Sequence, residues 1–134
     1  MIVVDTSALM AILLDEPEAD ACVAAIEVDD QLLISTATAA EALIVADRRG
    51  VGEEMGRLLD GLGFEQVAVT PAAARGVAQA YARWGKGLHP AALNFGDCFA
   101  YQLATSRDCA LLYVGDDFGR TDVRVVLGQD ATNG

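Results

Sequence analysis

Asp5, Glu41, Asp97 and the pair Asp116–Asp117 are the residues of this chain best suited to chemistry, because each interrupts an otherwise apolar stretch. Asp5 ends the β-branched run Ile2-Val3-Val4, and Glu41 lies alone within Ala37-Thr38-Ala39-Ala40-Glu41-Ala42-Leu43-Ile44-Val45. Asp97 stands in Asn94-Phe95-Gly96-Asp97-Cys98-Phe99-Ala100-Tyr101, while Asp116 and Asp117 follow Leu111-Leu112-Tyr113-Val114-Gly115. Carboxylates turned inward lose their hydration and repel one another, so several would have to take up protons. A divalent cation among them removes that conflict.

Each acid also has a plainer use. Asp5 can cap the helix that follows a buried strand, although the hydroxyls of Thr6 and Ser7 can serve there and free its carboxylate. Glu41 can face solvent, as most helical glutamates do. No further charge appears before Asp47, however, and a solvent stripe normally carries several, which favours an inward ligand. Asp97 gains roughly 0.3–1 kcal/mol from a helix N-terminus, but Asn94 is available as the cap. One of Asp116 and Asp117 can simply make a turn, and Asp122 reads as a local turn cap.

The elements that must position these acids alternate. Ile2–Val4, Gln31–Ile34, Phe64–Val69, Cys109–Val114 and Val123–Leu127 are short apolar runs that read as strands, about five in all. Between them lie helical patterns: Ala8 to Leu14 after Thr6-Ser7, a second from Pro17 to about Val28, Thr36–Arg49 stopped by Gly50, and Val51–Gly61. Pro71 opens the helix that runs to Trp84, and Phe95-Gly96-Asp97 opens one running to about Arg107. Gly85-Lys86-Gly87-Leu88-His89-Pro90 reads as loop and Gly128–Gly134 as a frayed tail. Such alternation predicts one α/β domain over residues 1–134, a central, mostly parallel sheet covered on both faces. Ligands of such sheets collect at the carboxyl ends of the strands, where Asp5 and Asp116–Asp117 fall.

Composition narrows the function. With 134 residues and 53% hydrophobic content the chain can bury a sizeable core. No apolar run approaches the roughly 18 residues of a membrane span, and Met1-Ile2-Val3-Val4-Asp5 lacks the basic lead-in of a secretory signal. Cys22, Cys98 and Cys109 are an odd set without CxxC spacing, which predicts buried free thiols in a reducing cytoplasm and no thiolate zinc site. A net charge of −11 suits a basic protein partner better than nucleic acid, although bound cations invert the local sign of an acidic pocket. Lys86 is the sole lysine.

Taken together, Val4-Asp5-Thr6-Ser7-Ala8-Leu9, the isolated Glu41, Asn94-Phe95-Gly96-Asp97-Cys98-Phe99-Ala100-Tyr101 and Gly115-Asp116-Asp117-Phe118-Gly119-Arg120-Thr121-Asp122 resemble a PIN-domain ribonuclease. The closer resemblance is to the VapC-type toxins of bacterial toxin–antitoxin pairs, and it covers essentially the whole chain in order and spacing. It implies a three-layer α/β/α PIN-like fold and an endoribonuclease with Asp5 and Asp97 as principal metal ligands, Glu41 and Asp117 completing the acidic quartet. The family's fourth acid precedes a phenylalanine, which selects Asp117, and Asp116 beside it stands as a further candidate metal ligand. Thr6 matches a hydroxyl position that orients water. The ligands are hard oxygens without imidazole, so the expected cofactor is Mg²⁺, with Mn²⁺ an alternative. Expected partners are an RNA substrate, a cognate antitoxin with a basic segment whose arginine competes for the carboxylates, and a second copy of the chain. The apolar helices over Ala19–Ile26 and Leu43–Leu59 suit that homodimer, or simply a buried core.

For an RNA approach the candidates are Lys86 and His89, with Arg83, Arg107 and Arg120 behind them; Trp84 and Tyr101 read as core. Two rivals are a receiver-like phosphoacceptor domain and a dehalogenase-type phosphatase. The first wants a lysine ending a late strand, the second an aspartate where Ser7 stands. A third is a PIN-like module that only binds its partner.

Overall fold

The computed structural model describes residues 1–127. Strand β1 (Ile2–Val4) leads into helix α1 (Thr6–Leu13), then α2 (Ala19–Val28) and β2 (Leu32–Ser35). Helices α3 (Thr36–Arg48) and α4 (Gly52–Gly61) precede the short β3 (Glu65–Val67), after which come α5 (Pro71–Trp84), α6 (Phe95–Ser106) and β4 (Ala110–Leu112). A single 3₁₀ turn follows at Phe118–Arg120.

All strand pairs are parallel and the order is β3-β2-β1-β4, with Ile2 opposite Leu32 on one side and Ala110 on the other. Side chains alternate across a strand, so a sheet buried on both faces must be apolar at every position. Here Val3, Leu33 and Leu111 pack with Val77, Trp84, Tyr101 and Leu103 against α5 and α6. Their neighbours Ile2, Val4, Leu32, Ile34 and Leu112 pack with Leu9, Cys22, Ala42 and Met55 on the opposite face, against α1–α4. The result is the expected three-layer α/β/α sandwich.

Among the described residues the sheet has four strands rather than about five. Val123–Leu127 contributes one parallel bridge, Val125 to Leu111, and no strand. A turn at Thr121 delays the pairing: its hydroxyl donates to Phe118 O at 2.7 Å and accepts from Val123 N at 3.3 Å, and the chain then meets β4 only through Leu111 N to Arg124 O at 2.8 Å and Val126 N to Leu111 O at 3.2 Å. β3 is shorter than the Phe64–Val69 run, and its exposed Glu65 and Gln66 mark it as the edge. Helix α2 begins at Ala19, so Pro17 lies before its first turn. The tail expected at Gly128–Gly134 lies outside the described residues. Among those described, no helix is long and apolar enough to cross a membrane.

Candidate active site

Asp5 sits where β1 ends, its N–H still bonded to Leu112 O of β4 at 3.0 Å. Of the candidate caps of α1, Asp5 and the hydroxyls of Thr6 and Ser7, it is the Asp5 carboxylate that serves. Oδ2 accepts from Ser7 N at 3.0 Å and from Ser7 Oγ at 2.7 Å. Its other oxygen, Oδ1, is buried without any partner. Burial, opposed by the Ser7 bonds and reinforced by the charge of Glu41, pushes the Asp5 carboxyl up to about 6.

Glu41 is half-buried on α3, one turn beyond the fully buried Thr38. Its Oε1 accepts from Thr6 Oγ1 at 2.7 Å, so the Thr6 proton orients Glu41 rather than a water. The opposite wall is Gly96. A Cβ at that position would overlap Glu41 Oε2 and stand 2.6 Å from its Cδ, so a side chain there would push the Glu41 carboxylate aside.

Asp97 occupies the third position of α6 in a reciprocal capping box: Asp97 N donates to Asn94 Oδ1 at 2.8 Å, and Asn94 N to Asp97 Oδ2 at 3.0 Å. Asn94 is thus the cap, as anticipated, and Asp97 answers it. Desolvation drives the Asp97 carboxyl up to about 7 against the Asn94 bond, with the charges of Asp5, Asp117 and Glu41 adding to the rise. That one residue feels the other three, which puts the quartet in one electrostatic neighbourhood. Gly115, at φ +110, turns the chain after β4 to present Asp116 and Asp117, both exposed. Of the two, Asp117 acts on Asp97, whereas Asp116 acts on the phenol of Tyr113.

The donors fit a hard divalent cation. They are carboxylate oxygens only, and the buried, unpartnered Oδ1 of Asp5 lacks the positive or hydrogen-bonding group that burial of a carboxylate requires. Among the described residues no three of these groups are gathered closely enough to enclose an ion by themselves. Mg²⁺ keeps several waters, needing only one or two direct carboxylates.

The family model for the PIN domain matches residues 2–124. The chain belongs to the PIN-domain family. Within it, the chain is 44% identical over 128 residues to Ribonuclease VapC30 of Mycobacterium tuberculosis strain H37Rv, covering 92% of this chain and 97% of that one. Ribonuclease VapC of Mycolicibacterium smegmatis is equally similar, at 44% with 92% and 98% covered. The crystal structure of Mycobacterium tuberculosis VapC20, described as a Sarcin-Ricin loop cleaving toxin, superposes with a TM-score of 0.77 at 14% identity, covering 94% of this chain and 98% of that one. A toxin–antitoxin complex from Klebsiella pneumoniae gives 0.71 at 16% identity, with 94% and 97% covered. VapBC2 from Rickettsia felis, bound to a promoter DNA fragment, gives 0.70 at 17%, with 93% and 96% covered. This is a PIN domain of the VapC ribonuclease group, which sets aside the receiver-like and dehalogenase-like readings.

The basic residues of this PIN domain divide sharply. Lys86 is exposed and enters no ion pair among the described residues, and Arg120 donates to Pro90 O at 3.2 Å. Arg83 is engaged with Asp122 and stacks 4.4 Å over Trp84. Arg107 pairs with Glu65 at the far end of α6, about 15 Å from Asp97 at 1.5 Å per residue, so it does not line the site. His89 is structural: Nδ1 accepts from Ala91 N, and its ring packs edge-on to Trp84. Asp122 is no turn cap. It accepts from the Tyr101 hydroxyl, which in turn accepts from Trp84 Nε1 at 2.9 Å, fixing the stretch after Asp117 to α5 and α6. Two functional positions are not apparent in the sequence, Ser7 as a holder of Asp5 and Gly96 as the glycine against Glu41. The Asp5-Thr6-Ser7 and Gly96-Asp97 adjacencies are the available signals.

Proposed function

We propose that this chain is a Mg²⁺- or Mn²⁺-dependent endoribonuclease, the toxin of a toxin–antitoxin pair, which hydrolyses RNA phosphodiester bonds at the Asp5–Glu41–Asp97–Asp117 centre. The observation that carries the reading is the orphaned Oδ1 of Asp5 within a cluster where Asp97 feels three further carboxylates. The relatives named ribonucleases support RNA as the substrate class.

Asp5 and Asp97 would hold the ion directly, with Glu41 and Asp117 completing the centre and Asp116 outside it. When bound, the ion supplies Lewis-acid polarisation of the phosphodiester and a more acidic water. The chain's own groups do the rest. Ser7 and Asn94 keep the two ligand carboxylates from swinging, and Thr6 holds Oε1 of Glu41 so that Oε2 is left to accept a proton from the attacking water. Asp117, exposed at the mouth, is the alternative base.

The partner is an antitoxin, the class of partner named in the neighbouring toxin–antitoxin complex; a basic segment on it suits the net charge of −11, and its arginine competes with the ion for these carboxylates. Exposed Leu43 and Ile44 on α3 and Phe95 on α6 support a homodimer, which sedimentation would reveal. Three buried, unpaired cysteines, with the Cys22 and Cys98 thiols raised to about 11, suit a reducing cytoplasm.

The deciding experiment is cleavage of a small-RNA pool by the purified chain with Mg²⁺ or Mn²⁺, beside Asp97→Asn and an EDTA control. Discrete fragments confined to the metal-loaded wild type are expected. No cleavage by antitoxin-free, metal-loaded protein leaves a binding module instead. Titrating a cognate antitoxin peptide into active enzyme should abolish cleavage; undiminished cleavage at saturation refutes the arginine competition.

A further inference from the structure

We propose that Ser7 is the positioning residue of the metal centre: its hydroxyl sets the orientation of Asp5 and ties it to the turn that carries Asp117. This rests on the metal-dependent reading of the site.

Capping α1 requires only the bond from Ser7 N to Asp5 Oδ2. The hydroxyl adds something a cap does not need. Its single proton goes to the same Oδ2, at 2.7 Å, so a lone pair is left to accept from Val114 N at 3.0 Å, a partner 107 residues away. The last backbone rung between β1 and β4 is Asp5 N to Leu112 O. Ser7 Oγ therefore continues that ladder where the backbone of β1 has turned into helix. One residue after Val114 comes Gly115, and then Asp116 and Asp117.

Two consequences follow from the geometry. Both donors on Asp5 converge on one oxygen, which leaves Oδ1 as the oxygen without a partner. The same hydroxyl anchors the base of the turn bearing Asp117, so two carboxylates from opposite ends of the chain share one reference atom. A carboxylate ligand held by an outer hydrogen bond typically loses about 10–100-fold in metal affinity when that bond is removed.

The test compares Ser7→Thr with Ser7→Val, near-identical in shape and differing in the hydroxyl, alongside Ser7→Ala. Mn²⁺ binding is titrated calorimetrically without RNA; kcat and KM for RNA and unfolding in EDTA are recorded in parallel. Expected are wild-type-like Mn²⁺ affinity and kcat for Ser7→Thr, and a loss of about 10-fold or more in both for Ser7→Val and Ser7→Ala, with KM little changed. Equal Mn²⁺ affinity in Ser7→Thr and Ser7→Val overturns the inference, even if Ser7→Val and Ser7→Ala unfold earlier in EDTA. If wild-type protein takes up no Mn²⁺, the metal reading itself fails and the inference falls with it; if wild type and Ser7→Val bind alike, only the inference falls.

Discussion

At the scale of single residues, the acids of the site are held in a conflict that the protein does not resolve with its own groups. Asp5 and Asp97 are raised from an ordinary 3.8 to about 6 and about 7, chiefly by burial. The folded chain therefore binds these protons more tightly than the unfolded one. Their stabilising contribution is complete below about pH 4 and is lost as pH rises through 6 and 7. Metal-free protein should melt at a lower temperature at about pH 8 than at about pH 5, and added Mn²⁺ should narrow the gap. A melting temperature in EDTA that is flat or rising over that range would contradict the arrangement. Asp97→Asn keeps an oxygen for the Asn94 N–H while removing the charge. It should be inactive, yet more stable than wild type at the alkaline end of that range in EDTA. Gly96→Ala probes the other wall. Its Cβ must displace the flexible end of Glu41, while the helix gains up to ~1 kcal/mol in propensity. The variant should turn over RNA at least about 10-fold more slowly, as expected of a displaced general base, without melting earlier. Retained activity would show that Glu41 can move without consequence.

At the scale of elements, the site depends on where strands and helices stop. Tyr101 joins three of them: its hydroxyl accepts from Trp84 on α5 and donates to Asp122 beyond the 3₁₀ turn. Tyr101→Phe strands the buried Trp84 N–H and frees Asp122, at an expected cost of about 1–3 kcal/mol by denaturant unfolding. A change within a few tenths of a kcal/mol would mean that water replaces the hydroxyl. This network also marks what the sequence conceals. Strand ends, helix starts and the order of the acids are legible because apolar periodicity and capping residues are local signals. Glu41 announces itself by its isolation among apolar neighbours. A fifth strand is expected, and among the described residues only one bridge forms: Val123–Leu127 is apolar enough to pair, and nothing local reveals that the Thr121 turn keeps the chain from β4 until Arg124. The partners of Asp122 and Ser7 are illegible for a different reason: they lie 21 and 107 residues distant, and only the parallel crossovers bring them together.

At the scale of the whole molecule, the awkward quantity is a net charge of −11 on a protein read as acting on RNA. The local charges deepen it, since Arg57, Arg83, Arg107 and Arg124 are each paired with an acid on the surface. Long-range forces therefore repel RNA and attract a basic antitoxin, and the two associations should respond to salt with opposite sign. The Debye length shrinks from ~30 Å at about 0.01 M to ~8 Å at about 0.15 M, so repulsion fades while short contacts at the metal centre persist. At constant Mn²⁺, kcat/KM for RNA should rise over that interval, whereas affinity for a basic antitoxin peptide should fall. A basic-surface nuclease does the reverse, losing affinity steeply as released counterions accumulate. Should cleavage weaken steeply with salt, RNA must be meeting a cationic path through Lys86 and Arg120 strong enough to outweigh the global charge. A rise would place RNA capture at the bound cation itself, and the same acidic surface that slows the substrate would then be what recruits the inhibitor.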